Sequence, residues 1–225
     1  MADRIAVFET MRVRAGRIPL IERHLERFEF NRLAVGLPEA PADLGERLTV
    51  TAGSGPPEWV IRFEWDAEEL SITTRELPSL EPVRLVTSAV VHPDYRVKTT
   101  DREAFDRARK AAHDVGADEA ILLTGDGFVA EGSIFAVGWV DGGGIVLPSL
   151  DLAILPSIGR ARAIECAGEL DIPVTEGRYH RNELEGKVVF IMTSVRGVVP
   201  VAELDGSPVP LNEAVNRIAV EFWPG

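Results

Sequence analysis

The sequence predicts an α+β chain built as two domains, and three observations carry that reading. Short apolar runs are interleaved with longer stretches that repeat at helical spacing. Glu58 to Trp65 and Leu70 to Arg75 answer one another as the arms of a hairpin, as do Ala120 to Leu123 and Phe128 to Ala130 around Thr124-Gly-Asp-Gly127. Pro78-Ser-Leu-Glu-Pro82 reads as a linker, so residues 1–80 form a small N-terminal α/β domain and residues 81–225 a larger one.

Ile5 to Phe8 and Arg12 to Leu20 read as strands, the second containing an Ala15-Gly16 turn. Leu20, Ile21, Leu25, Phe28 and Leu33 then mark a helix from about Pro19 to Val35, with His24 and Arg27 three residues apart on one side. Pro38 to Pro57 reads as a loop, a helix and a turn, broken by Gly53-Ser-Gly-Pro-Pro57. In the larger domain Leu85 to Val91 is an apolar strand, and Ala104, Phe105, Ala108, Ala111, Ala112 and Val115 lie on one buried helical face. Ile134 to Val140 and Ile145 to Leu147 are strands around Asp141-Gly-Gly-Gly144. That glycine run precedes no helix in a G-x-G-x-x-G frame, so it is a hairpin turn and not a phosphate loop. Leu155-Pro156-Ser157 opens a helix whose apolar stripe includes Ile158, Ala161, Ile164, Ala167 and Leu170. Val188 to Met192 is a buried strand ending at Thr193-Ser194, Val198 to Val201 is another, and Leu211 to Phe222 is an amphipathic helix.

Composition narrows the function. The chain has 225 residues, 45% hydrophobic and 27% charged, enough for a sizeable core. A net charge of −12 argues against general nucleic-acid binding, which needs a basic face, yet leaves room for a local arginine cluster and an anionic small substrate. One cysteine, Cys166, excludes an intramolecular disulfide; it is read as a small buried apolar residue, with a catalytic thiol as the alternative. No metal site is assigned. The start M-A-D-R-I-A-V-F-E-T shows no signal-peptide core and no apolar run approaches ~18 residues, so no membrane partner and a cytoplasmic location are expected.

The chemistry concentrates between Val97 and Glu131. Lys98 follows an apolar strand, a helix comes next, and Glu131 ends a hairpin. A lysine and an acid delivered by separate elements suit pyridoxal phosphate: the amine forms a Schiff base and the acid keeps the pyridine nitrogen protonated. A single lysine is more commonly a solvated surface charge. Here there are only three among 24 basic residues, Lys98, Lys110 and Lys187; Lys110 lies within a helix and Lys187 in a loop before a strand.

Six motifs occur in one order over nearly the whole chain: F-E-T-M-R at Phe8 to Arg12, H-L-E-R-F at His24 to Phe28, K-T-T-D-R at Lys98 to Arg102, A-E-G-S at Ala130 to Ser133, L-P-S-L-D-L-A-I-L-P-S-I-G-R-A-R at Leu147 to Arg162, and M-T-S-V-R-G-V-V-P-V at Met192 to Val201. In these the sequence resembles the class IV, fold type IV pyridoxal-phosphate enzymes, which include branched-chain and D-amino-acid aminotransferases and aminodeoxychorismate lyases. The resemblance implies a small α/β domain followed by a larger pseudo-barrel domain, and pyridoxal 5′-phosphate as cofactor. It implies Lys98 as the catalytic lysine, Glu131 at the pyridine nitrogen, and Arg27, Thr193, Ser194 and the amides of Ile158 and Gly159 at the phosphate. Without the resemblance, Arg27 is a surface charge and Ser157-Ile158-Gly159 an ordinary helix start, although both chemistries suit phosphate. Arg12, Val195 and Arg196 are the positions for the carboxylates of a small anionic amino-acid-like substrate, and a homodimer is implied.

The sequence departs from the family pattern at four positions. Ala136 stands for the usual asparagine, Gly159 for threonine, Ser157 for glycine, and Glu103 for the tyrosine that transaminases carry five residues after the lysine. The S-V-R-G turn is most similar to the lyases, so cleavage of 4-amino-4-deoxychorismate to 4-aminobenzoate and pyruvate, a folate-pathway step, is expected. The alternatives are an aminotransferase of branched-chain or D-amino acids and a degenerate member without catalysis.

Overall fold

A computed structural model describes residues 5–224 and divides them into two compact units. The first comprises the described residues up to Ser79 together with Val97–Asp101. Its strands β1 (Val7–Arg14), β2 (Glu58–Trp65) and β3 (Leu70–Arg75) form an antiparallel sheet in that order, with helices α1 (Ile21–Ala34) and α2 (Leu44–Gly53) between β1 and β2 in the chain. Alternation decides what each face holds. Val7, Met11 and Val13 of β1 and Trp59, Ile61, Phe63 and Trp65 of β2 pack with Phe28, Leu44 and Leu48 as the unit's core. The opposite face carries Phe8, Thr10 and Arg12 beside Val60, Arg62 and Glu64, because Phe8 pairs with Glu64 and Thr10 with Arg62.

β1 corrects the two-strand reading of the N-terminus. Every residue from Val7 to Arg14 pairs with β2, so the chain runs straight through Glu9 to Met11. The turn comes only at Ala15 (φ 47°) and Gly16 (φ 76°), closed by the Arg14–Arg17 backbone pair. Two successive left-handed residues make the twist that matches a hairpin.

The second unit comprises Leu80–Arg96 and the described residues from Arg102 onward. In chain order it holds β4 (Val83–Val91), α3 (Glu103–Asp114), β5 (Glu119–Leu123), β6 (Val129–Gly132), β7 (Ala136–Asp141), β8 (Gly144–Pro148), α4 (Ile158–Glu169), β9 (Val174–Gly177), β10 (Val188–Thr193), β11 (Gly197–Leu204), β12 (Ser207–Pro208) and α5 (Glu213–Glu221). The nine-stranded sheet runs β6-β5-β4-β11-β10-β7-β8-β9, with β12 added to β11. β4 pairs parallel to both β5 and β11, and β8 parallel to β9; the other pairs are antiparallel. The sheet curls into a half-barrel that brings β6 against β7 and β8. Leu85, Ile121, Trp139, Val189, Ile191 and Val201 are among the buried residues that fill it.

Two predicted stripes are narrower than expected. α3 buries Phe105, Ala108 and Ala112, whereas Ala111 and Val115 face solvent. α4 buries Ile158, Gly159, Ala163, Cys166 and Ala167, leaving Ala161 exposed and Ile164 half-buried. Helical spacing allows several faces, and the neighbouring element selects one: α4 packs on β10 and α5. Among the described residues no helix is long and apolar enough to cross a membrane, and no group of His, Cys, Asp and Glu is arranged to hold a metal ion.

Candidate functional site

Lys98 belongs to the first unit, although the division at 80/81 placed it with the larger domain. Residues 97–101 lie along the edge of β1 that β2 leaves unpaired. Phe8 N donates to Lys98 O at 3.3 Å, Thr100 N to Ala6 O at 2.9 Å and Ala6 N to Thr100 Oγ1 at 3.0 Å, and Val7 bridges Thr99. Lys98 Nζ lies 4.4 Å from the centroid of the Phe8 ring, and Arg62 Cζ stacks 3.7 Å from the same ring. Arg12 stands on that face too, its Nε donating to Glu58 Oε2 at 2.7 Å. Arg62 donates to Glu64 Oε1 at 2.5 Å. The sequence reading gave Arg62 no role, yet the β1–β2 register puts it opposite Thr10, on the face of Phe8 and Arg12, with its guanidinium over the Phe8 ring.

On the other face Glu9, fully buried, is gripped from α1. Arg27 Nε and Nη2 donate to its two oxygens at 2.8 and 2.6 Å, and His24 Nδ1 lies 2.7 Å from Oε2. This fork–fork pairing means that Arg27, predicted at a phosphate, has a carboxylate partner inside the protein. Glu9 was present in F-E-T as a motif letter only; its place between Val7 and Met11, on the same apolar face of the alternation, was the available signal. Burial alone would raise the Glu9 pKa, but Arg27 and His24 outweigh it and hold it at about 2. For His24 burial dominates over the opposing pull of Glu9, and with Arg27 and Lys98 adding to it the imidazole is pushed below its ordinary 6.5.

Two predictions follow from this cluster. Glu9→Gln removes the negative charge from a buried ion pair and is expected to destabilise the fold by about 3–5 kcal/mol, read by denaturant unfolding. Both shifts also act in one direction. The unfolded chain binds a proton at His24 near pH 6.5, and at Glu9 near pH 4.5, where the folded chain refuses it. The contribution of these two groups to stability is therefore present above pH 6.5 and declines as pH falls, first through His24 and then through Glu9. Denaturation between pH 7 and pH 5 should show this slope, and His24→Asn should flatten it; an unchanged slope in the variant would exclude His24 as its source.

In the second unit Glu131 lies near the end of β6, 5% exposed. Its Oε1 accepts from His92 Nε2 at 2.8 Å and from the Leu155 amide at 3.1 Å. His92, at the end of β4, escaped the sequence reading because its partner is 39 residues away. Ser133, two residues beyond Glu131, donates its hydroxyl to buried Glu119 at 2.5 Å, and Arg109 bridges Glu119 at 3.1 Å. Arg102 donates to the Ser133 carbonyl and, at 3.1 Å, to Tyr95 Oη.

The phosphate positions predicted in this unit lie together. Ser157 caps α4, its Oγ accepting from Arg160 N at 3.3 Å, and the Ile158 and Gly159 amides lie in the first turn, where no preceding helical carbonyl serves them, at the positive end of the helix. Gly159 is seated on the backbone of Thr193: a Cβ built there would lie 2.6–2.7 Å from Thr193 N, Cα and C. Only a residue without a side chain lets the helix end approach β10 so closely. Thr193 Oγ1 accepts from Val195 N at 3.2 Å and Arg196 N at 2.8 Å, closing the β10–β11 turn, and Ser194 is half-buried within it. Val195 is buried. Arg196, predicted at a substrate carboxylate, donates through Nη2 to the Glu81 carbonyl at 2.9 Å. Burial pushes its pKa down, against Glu119 and Asp118. Ala136 is buried in β7 opposite Met192, and the Glu103 carboxylate stands in solvent at the start of α3.

Comparison with known proteins agrees with this architecture. The sequence matches the Amino-transferase class IV family over residues 6–204. It is 35% identical over 99 residues to an aminodeoxychorismate lyase of Bacillus subtilis, covering 42% of this chain and 34% of that protein. Over 110 residues it is 38% identical to a "probable branched-chain-amino-acid aminotransferase" of Thermotoga maritima, covering 48% and 40%. The chain thus spans about a third to two fifths of the length of these relatives. A branched-chain aminotransferase from Thermoproteus uzoniensis, solved with norvaline, superposes with a TM-score of 0.86 at 25% identity, over 97% of this chain and 84% of that one.

Proposed function

The chain belongs to the class IV aminotransferase family, and from that premise we propose a pyridoxal-phosphate enzyme that cleaves 4-amino-4-deoxychorismate to 4-aminobenzoate and pyruvate. The residues present suit the cofactor. Two first-turn amides at a helix N-terminus match the phosphate, and the bare Gly159 surface against Thr193 is a cradle that a side chain would fill. A buried carboxylate at Glu131 matches a protonated ring nitrogen. Lys98 would carry the cofactor through its amine; Ile158, Gly159, Ser194 and Thr193 would hold the phosphate, and Arg27 would join them. When bound, pyridoxal phosphate supplies an electron sink for charge developing on the substrate carbon next to the amine.

The protein's own part is binding and proton transfer. Lys98 would take the proton from that carbon and return one as product forms, work typically contributing 10²–10⁴-fold. Arg12 and Arg62, on the sheet face that Phe8 shares, support a substrate with two carboxylates. Val195 would line that end, and Arg196 would steer anions from the turn. A homodimer is part of this reading, and light scattering at micromolar concentration checks it.

The observation that carries elimination over transamination is Glu103. The fifth position after Lys98 offers an exposed carboxylate and not the phenol that transaminases place there. The second reading is an aminotransferase of branched-chain or D-amino acids, supported by the relatives above that bear that name. Pyruvate released from 4-amino-4-deoxychorismate without an acceptor keto acid supports the lyase; turnover only with an acceptor excludes it. A protein that stays colourless with excess pyridoxal phosphate would overturn both and leave a non-catalytic member of the family.

A further inference from the structure

Resting on the pyridoxal-phosphate reading, we propose that His92 is a positioning residue: it sets the rotation of the Glu131 carboxylate so that one oxygen is offered to the cofactor's ring nitrogen. Three features carry this. His92 is fixed at its backbone, its amide donating to Leu123 O at 2.8 Å across to β5. Its ring is buried and stands edge-on to Phe105 at 5.6 Å and 80°, and Phe105 is itself held by Tyr95 at 4.8 Å and by the Arg102 guanidinium at 4.7 Å. A ring so confined presents its Nε2 in one direction.

The third feature is the choice of oxygen. His92 Nε2 and the Leu155 amide converge on the same atom, Glu131 Oε1, at 2.8 and 3.1 Å. A carboxylate only accepts, so the imidazole carries its hydrogen on Nε2. No described residue donates to Oε2. Turning the carboxylate would break two bonds to a charged acceptor, one of them from a residue that cannot follow. Oε1 is thereby the structural oxygen and Oε2 the working one. An outer residue that orients an inner ligand in this way is as much part of a site as the ligand. His92 touches the cofactor only through Glu131.

The test measures affinity of the full chain for pyridoxal phosphate and for its 1-deaza analogue, which lacks the ring nitrogen. Wild type is expected to prefer the natural cofactor by about ten- to a hundredfold, the value of one bond to a charged group. Glu131→Gln should lose that preference. His92→Leu should lose most of it, and His92→Gln, whose amide nitrogen can stand in for Nε2–H, should recover most of it. Affinity for the deaza analogue should be the same in all four proteins, which a merely structural role would not predict. His92→Leu keeping the preference while Glu131→Gln loses it overturns the role of His92 and leaves the cofactor reading intact, as does an equal loss for both ligands. A wild type with no preference, or no binding, overturns the cofactor reading itself. Should His92→Leu not fold, Phe105→Leu replaces it: it keeps the donor but frees the ring, and an unchanged preference there overturns the proposal.

Discussion

Lys98→Ala is expected to lower turnover by at least ~10²–10⁴-fold, the range for a positioned acid–base group, and to abolish the visible band that borohydride fixes to the protein. The loss should be confined to this lysine. Lys110 is exposed on α3 and paired with Asp114 at 2.7 Å, and Lys187 pairs with Asp141 at 2.7 Å. Surface pairs of this kind contribute about 0–1 kcal/mol, so alanine at either position should leave turnover and stability close to wild type. With three lysines in the chain, peptide mapping after reduction identifies the carrier directly. A tag on Lys110 or Lys187, or a band that survives in Lys98→Ala, would exclude Lys98.

Gly159→Ala is expected to give the second largest effect, and it isolates the helix end. Its methyl group would lie 2.6–2.7 Å from three backbone atoms of Thr193, which no rotamer change relieves. The first turn of α4 must then shift from β10, at a cost of about 1–3 kcal/mol in stability. The amides of Ile158 and Gly159 move with it. Affinity for pyridoxal phosphate should fall by about tenfold or more, while affinity for unphosphorylated pyridoxal should hardly change. Gly168→Ala, on the same helix, is the control. Nothing lies within 4 Å of a Cβ there, so it should stabilise by about 0.5–1 kcal/mol through helix propensity and leave binding untouched. Equal loss of phosphorylated and unphosphorylated ligand in Gly159→Ala would exclude the helix end as the phosphate site.

Much of the fold was legible because it is decided by near neighbours. The β2–β3 hairpin was read at the bounds the structure has, since its alternation and turn residues lie within one short window. The class of fold and the family were legible from motifs in order, each a local string. Where sequence reasoning went astray, a distant partner had decided. Val115 and Ala161 fit a helical stripe yet face solvent, because burial depends on which side the sheet covers. Residues 97–101 follow the second unit's first strand in sequence but add to the edge of β1, because β1 had unpaired backbone groups on that side.

By itself, then, the sequence determined the α+β class, through periodicity and turn chemistry along the chain, and the family, through six motifs in order; the residues it names for the chemistry stand as a proposal. Only the tertiary structure decided how those groups are held. It committed Arg27 to Glu9 across 18 residues and His92 to Glu131 across 39, and it seated Gly159 on the backbone of Thr193. Such partnerships are set by strand register and by the need to satisfy every buried charge, and neither leaves a periodic mark on the sequence.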